Sequence, residues 1–229
     1  MLRETLLSVC SHRTLALLRW DLHFLRMRLG NRVAWRGLKI KSYVDAMPYP
    51  RYLNLGSGPR GLHDPHWCNV DGFKDVNVHY VMDFNKTFAF QSNTFDGIFC
   101  EHVFEHFTLE DGQKLLRECH RVLQPGGCIR LIVPDGERII RTYLQQPEEL
   151  LQIRPVQSRC AMEAVNSWFY QRYEHQCLYD ADLLRFQLRQ AGFNQVNRVS
   201  YRQGESSRAV LLDDQKYEWE SLYMEAIKP

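Results

Sequence analysis

Two Glu-His pairs, Glu101-His102 and Glu105-His106, follow directly on the apolar run Phe95–Cys100. Residues just past the carboxyl end of a parallel strand face the ligand crevice of an open α/β sheet, so these four side chains are placed for chemistry. Imidazoles titrate near neutral pH and suit proton transfer, which makes His106 a candidate general base. His175 is a second candidate, next to an aromatic stretch of Trp168, Phe169, Tyr170 and Tyr173. His102-Val103-Phe104-Glu105-His106 also fits H-x-x-E-H, in which two histidines one helical turn apart hold zinc and the glutamate activates water. That hydrolase reading requires a helix, whereas the residues before the motif read as a strand. No metal centre is expected.

A second cluster surrounds Leu53-Asn54-Leu55-Gly56-Ser57-Gly58-Pro59-Arg60-Gly61, a glycine turn closing an apolar strand. Glycines permit positive φ and let a ligand approach the backbone. A dinucleotide would need a full helix opening at this turn to hold its pyrophosphate. Only Pro59–His66 precede the next strand, Trp67–Asp71, and Pro65 interrupts them, so NAD and FAD are disfavoured. A ligand without a pyrophosphate fits better. Asp71, at the end of the second strand, can accept hydrogen bonds from both hydroxyls of a ribose. Asp83 and Phe84, after the third, suit an adenine amine and ring face.

The elements that must position these residues alternate between short apolar runs and helical stretches, the signature of βαβ units around a parallel sheet. Strands are expected at 51–56, 68–71, 78–83, 96–101, 128–133, 195–201 and 221–227. Helices are expected at 110–123, stopped by Pro125-Gly126-Gly127, and at 181–190 before Ala191-Gly192-Phe193.

In their order and spacing, five segments resemble class I S-adenosylmethionine-dependent methyltransferases of the type 11 group: Leu53–Pro59, Trp67–Asp71, Phe95–His106, Arg121–Gly127 and Ile132–Asp135. The resemblance covers about residues 50–229. It implies a Rossmann-like α/β fold with a seven-stranded, mainly parallel sheet of order 3-2-1-4-5-7-6 and a shortened first helix. It also implies S-adenosylmethionine as cofactor, lying across Gly56, Ser57, Gly58, Asp71, Asp83, Phe84, Glu101 and His102. Asn54 stands where many such enzymes carry an acid.

The 229 residues, 45% hydrophobic and 24% charged, suit one soluble domain with an extension. The expected division is a basic helical extension over 1–48 and a methyltransferase domain over 49–229, with acceptor-binding elements inserted at 135–180. Seven scattered cysteines without a C-x-x-C pair indicate a reducing compartment and small buried side chains. Residues 1–41 hold nine Lys/Arg against two acids, leaving twenty against twenty-five in the remainder. Nucleic acid is therefore not an expected partner. Leucines and arginines over 4–30 fit a helix that packs on the domain or a second subunit, a peripheral membrane helix, or an import peptide. The expected location is cytoplasmic, peripheral to a membrane under the second of these readings. The acceptor is expected to be a small molecule such as a sugar, a lipid-linked compound or another polar metabolite. A non-catalytic scaffold on the same fold is the alternative.

Overall fold

The computed structural model describes residues 12–33, 35–153, 158–171, 174–205 and 208–229. Leu6, Leu7, Cys10 and Tyr173 lie outside them. Two helices, α1 (His12–Val33) and α2 (Arg36–Asp45), precede a seven-stranded sheet. Its strands are β1 (Tyr52–Leu55), β2 (Trp67–Asp71), β3 (Tyr80–Val81), β4 (Phe95–Glu101), β5 (Leu123–Pro134), β6 (Gln195–Val199) and β7 (Ser221–Ile227), in the order β3-β2-β1-β4-β5-β7-β6. The five strands β3, β2, β1, β4 and β5 run parallel, and β7 enters antiparallel between β5 and β6. This is the order that the resemblance to class I methyltransferases implies.

The centre of the sheet explains why its strands read as unbroken apolar runs. In β4 every residue except Asp96 is buried, because the strand has neighbours on both edges and packed layers on both faces. α3 (Leu109–Val122) covers one face with Leu115, Leu116, Cys119 and Val122. Each large aliphatic side chain so buried contributes about 1.5–3 kcal/mol. Thr108 caps α3 by accepting the Asp111 N–H, and Glu110 and Asp111 complement the helix dipole. The Pro-Gly-Gly turn after α3 lies within β5, whose pairing begins already at Leu123, five residues before the expected start. Gly126 takes a φ of 78° there, and its N–H reaches Lys228 O at the end of β7.

Between β5 and β6 lie α4 (Gly136–Gln145), α5 (Glu149–Ile153), α6 (Ala161–Tyr170) and α7 (Ala181–Gln190). The first three enclose a small core of their own, formed by Ile139, Leu150, Ala164, Val165 and Trp168. The 135–180 interval is thus a helical layer beside the carboxyl ends of the strands. β3, expected over six residues, is reduced to a two-residue pairing, and Asp83 and Phe84 follow it in irregular chain.

Cys68, Cys100 and Cys119 are buried, with burial raising their thiol pKa values; Cys128 and Cys177 are half-buried and Cys160 is exposed. No described helix is long and apolar enough to cross a membrane.

Candidate active site

The glycine turn is anchored before it meets any ligand. The N–H groups of Gly56 and Ser57 both donate to Val70 O, at 2.8 and 3.1 Å, drawing the turn over β2. Gly56 sits at φ 76°, and a Cβ there would meet Val103 Cγ2 at 2.1 Å, so glycine is required on both counts. Gly58, at φ 49°, would meet nothing within 4 Å and borders open space. Its N–H donates to Asp71 Oδ2 at 2.8 Å, while Phe73 N–H takes Oδ1 at 2.8 Å. Asp71 therefore braces the turn and keeps one lone pair of each oxygen for a further donor. A single 3₁₀ turn, Gly58–Arg60, replaces the first helix, as the short Pro59–His66 segment requires.

Ser57 Oγ is buried and has no hydrogen-bond partner among the described residues. A buried hydroxyl without a partner carries a desolvation cost that a ligand can relieve. With the open space at Gly58 and the carboxylate at Asp71, it fits the methionine and ribose portions of an S-adenosyl cofactor. Asn54 is not part of this cradle: its Nδ2 donates to Asn69 Oδ1 at 3.2 Å, and Asn69 in turn holds Leu62 O and N–H. An amide at position 54 thus secures the chain that returns from the glycine turn.

Asp83 and Phe84 are committed to neighbours. Asp83 is buried, with Oδ2 taking Arg28 Nη1 of α1 at 3.0 Å and Oδ1 taking Asn85 N–H at 3.0 Å. Phe84 packs in the main core against Phe88 and Phe107. The same helix α1 reaches the end of β2. His23 Nε2 lies 2.7 Å from Gly72 O, its ring stacks on Phe73, and Asn31 Nδ2 donates to Val81 O at 2.8 Å.

Glu101 and His102 diverge. Glu101, buried at the end of β4, accepts Arg60 Nη2 at 3.0 Å and Asp214 N–H at 3.1 Å. Burial raises its pKa in spite of these two donors. His102, at φ 52°, turns the opposite way. Its Nδ1 lies 3.2 Å from Glu105 Oε1 and its Nε2 2.9 Å from Ser221 Oγ, with the ring against Tyr217. Burial lowers the His102 pKa, but the Glu105 carboxylate more than offsets this and holds it raised.

His106 and His175, far apart in the chain, come together with ring centroids 4.9 Å apart. The segments are stitched by the Gln176 and Cys177 N–H groups, which donate to Glu105 O at 2.8 and 3.2 Å. Both histidines line a cavity of about 340 Å³ with His102, Trp168, Tyr217 and Trp219. Trp168 is fully buried and donates its indole N–H to Glu220, whereas Tyr170 is exposed, so the aromatic stretch splits between core and surface. The zinc-hydrolase geometry is absent: residues 104–106 form a single 3₁₀ turn rather than a helix, and His102 and His106 bond to different partners.

Sequence reasoning missed Arg60, Lys216, Tyr217, Trp219 and Glu220. The last four sit in the approach to β7 and reach the cavity only through the antiparallel return of that strand. No periodicity signals such a placement.

A glycine turn braced by a carboxylate at the carboxyl end of a 3-2-1-4-5-7-6 sheet defines a Rossmann-like domain of the class I methyltransferase type. Residues 67–131 match the family model described as a methyltransferase domain, which runs from β2 into β5. The fold is that of class I methyltransferases and this segment matches their domain model; S-adenosylmethionine is the cofactor of that class. Solved structures similar to it include a Thermotoga maritima S-adenosylmethionine-dependent methyltransferase described as a possible histamine N-methyltransferase (16% identity, 94% of this chain and 96% of that one, TM-score 0.49). Another is an S-adenosylmethionine-dependent methyltransferase from Archaeoglobus fulgidus (14% identity, 91% and 99%, TM-score 0.48). A third is a chain from a Haloferax volcanii complex that contains the Trm112 methyltransferase activator (16% identity, 89% and 94%, TM-score 0.49). No curated protein matches the sequence.

Proposed function

We propose that the protein transfers a methyl group from S-adenosylmethionine to a small polar acceptor bound in the cavity at the ends of β4 and β5. The observation that carries this reading is that one short segment after β4 serves both places: Val103 closes on Gly56 of the glycine turn, while His102, Glu105 and His106 line the cavity. Bound S-adenosylmethionine supplies an electrophilic methyl carbon, to which an acceptor lone pair bonds in line as the carbon–sulfur bond breaks and sulfur keeps the pair. Gly56, Ser57 and Gly58 offer the cradle, Asp71 a partner for the ribose hydroxyls, and Asp83 with Phe84 the adenine end. Glu101 and His102 bound the methionine end. The cavity walls must hold the acceptor atom about 3–3.5 Å from the methyl carbon, and this positioning supplies much of the rate.

The acceptor's proton passes to the His106–His175 pair. His106 Nδ1–H donates to Glu174 O at 3.1 Å, which directs the lone pair to Nε2. His175 Nδ1–H donates to Trp168 O at 2.6 Å with the same consequence. The test is transfer of a labelled methyl group to a panel of sugars, amines and lipid-linked acceptors. Label in one acceptor class, reduced about 100-fold or more by His106→Ala, is the expected result. Tight cofactor binding with no transfer to any class would favour a non-catalytic scaffold.

A specific observation favours a membrane-proximal acceptor. Leu17, Leu18, Leu22, Leu25 and Leu29 of α1 are 46–55% exposed, among Arg19, Arg26 and Arg32. Apolar side chains with flanking cations suit an anionic lipid surface. Co-sedimentation with anionic but not neutral vesicles is the expected outcome.

A further inference from the structure

Glu105 carries an unresolved charge problem. It is 1% exposed, and its Oε2 has no hydrogen-bond partner among the described residues. Oε1 is served by His102 Nδ1 at 3.2 Å. His175 presents Nε2 only 3.9 Å from Oε1, too far for a hydrogen bond, and its Nδ1–H is already given to Trp168 O. One ligand atom each from Glu105, His106 and His175 lies within 4.8 Å of the others. A carboxylate and two imidazoles thus gather in one place.

We propose that Glu105, His106 and His175 form a site for a divalent transition-metal cation. Glu105 Oε2 and the Nε2 atoms of the two histidines are the ligands, and the remaining coordination positions open into the cavity. The donor set, two imidazoles and one carboxylate, suits zinc and its first-row neighbours rather than magnesium or calcium. Its surroundings have the form that metal-binding histidines take. Each Nδ1–H is fixed by a backbone carbonyl, Glu174 O or Trp168 O, and the carboxylate is oriented by His102. Metal–ligand bonds of about 2.0–2.2 Å place tetrahedral ligands about 3.4 Å apart, so the ligand atoms must draw together on binding, with most freedom at His106, the least buried member. The carbonyl bonds from Gln176 and Cys177 N–H to Glu105 O lock the other two ligands in register.

The inference rests on the methyl-transfer reading for its purpose: the cation would hold an acceptor oxygen and lower the pKa of its hydroxyl, and in the metal-bound protein this replaces the proton transfer to free imidazoles given above. Binding itself is independent of that purpose. The test titrates chelator-treated full-length protein with zinc chloride by calorimetry, with S-adenosylhomocysteine binding measured on the same samples. One zinc per chain is expected, weakened at least about 100-fold in His106→Ala and in Glu105→Gln, while both variants keep their S-adenosylhomocysteine affinity. His106 is partly exposed, so its variant folds if Glu105→Gln does not. Zinc binding that is absent in the wild type, or unchanged in His106→Ala, overturns the proposal and leaves the cofactor reading standing. Loss of S-adenosylhomocysteine binding in the wild type with zinc retained contradicts the cofactor reading instead.

Discussion

Arg28 of α1 donates from Nη1 to Asp83 Oδ2 at 3.0 Å, closing a contact across fifty-five residues of chain. The carboxylate proposed for the adenine end is therefore held by the N-terminal helix. Arg28→Ala frees that oxygen for the cofactor. Calorimetry should show S-adenosylhomocysteine bound about 3- to 10-fold more tightly, the worth of about one hydrogen bond. Weaker binding would make Arg28 a cofactor ligand in its own right.

The two glycines of the turn are required for different reasons, and substitution separates them. Gly56→Ala introduces both a left-handed backbone and a contact 2.1 Å from Val103, so it should lower stability by several kcal/mol or prevent folding. Gly58→Ala introduces the backbone strain alone, about 1–2 kcal/mol. Urea unfolding of both variants checks the order. Equal losses would mean that Val103 moves aside freely.

Glu118 fastens the chain that carries Phe84 and Phe88. Its carboxylate accepts Phe88 N–H at 2.7 Å and two Arg121 nitrogens at 2.8 Å. Burial pushes its pKa up, but Arg121 and the Phe88 N–H outweigh this and hold it below the ordinary value. A depressed folded-state pKa contributes stability above the unfolded value and loses it as pH falls through the folded one. The stability gap between wild type and Glu118→Gln should be full at pH 7 and shrink below about pH 4.3. A gap independent of pH would assign the effect to shape rather than charge.

Arg130, fully buried on β5, binds Asp213 through Nε and Nη2 at 2.7 and 2.5 Å, and Glu225 through Nη1 at 2.8 Å. It also donates to Ser200 O and Gln203 O, pinning the segment whose Asp214 N–H reaches Glu101. Arg130→Met leaves two carboxylates buried without their cation, for an expected loss of about 3–5 kcal/mol in urea unfolding. A loss under about 1 kcal/mol would show that the loop finds other anchors.

The sheet was readable because its parallel strands are mostly apolar and most of them are followed closely by Gly, Asp or Pro; β7 and α7 match their expected bounds. The glycine turn and Asp71 were readable for the same reason, since a strand end fixes where its next residues point. What escaped depends on tertiary return. Arg130 looks like a stray charge in a strand, and its partners lie 83 and 95 residues away. Arg28 on Asp83, and Tyr217 and Trp219 at the cavity, are likewise products of topology. Helices α4–α6 were missed because they pack against one another around a core of their own rather than against the sheet.

On the reading proposed above, the turn at Gly56–Gly58, braced by Asp71, receives an S-adenosyl cofactor. Calorimetric titration of the wild type and Asp71→Ala with S-adenosylmethionine and S-adenosylhomocysteine, with NAD as control, tests it most directly. Micromolar binding of the first two, weakened at least about 10-fold in Asp71→Ala and absent for NAD, is the predicted result. Failure of the folded wild type to bind either S-adenosyl compound would contradict the account.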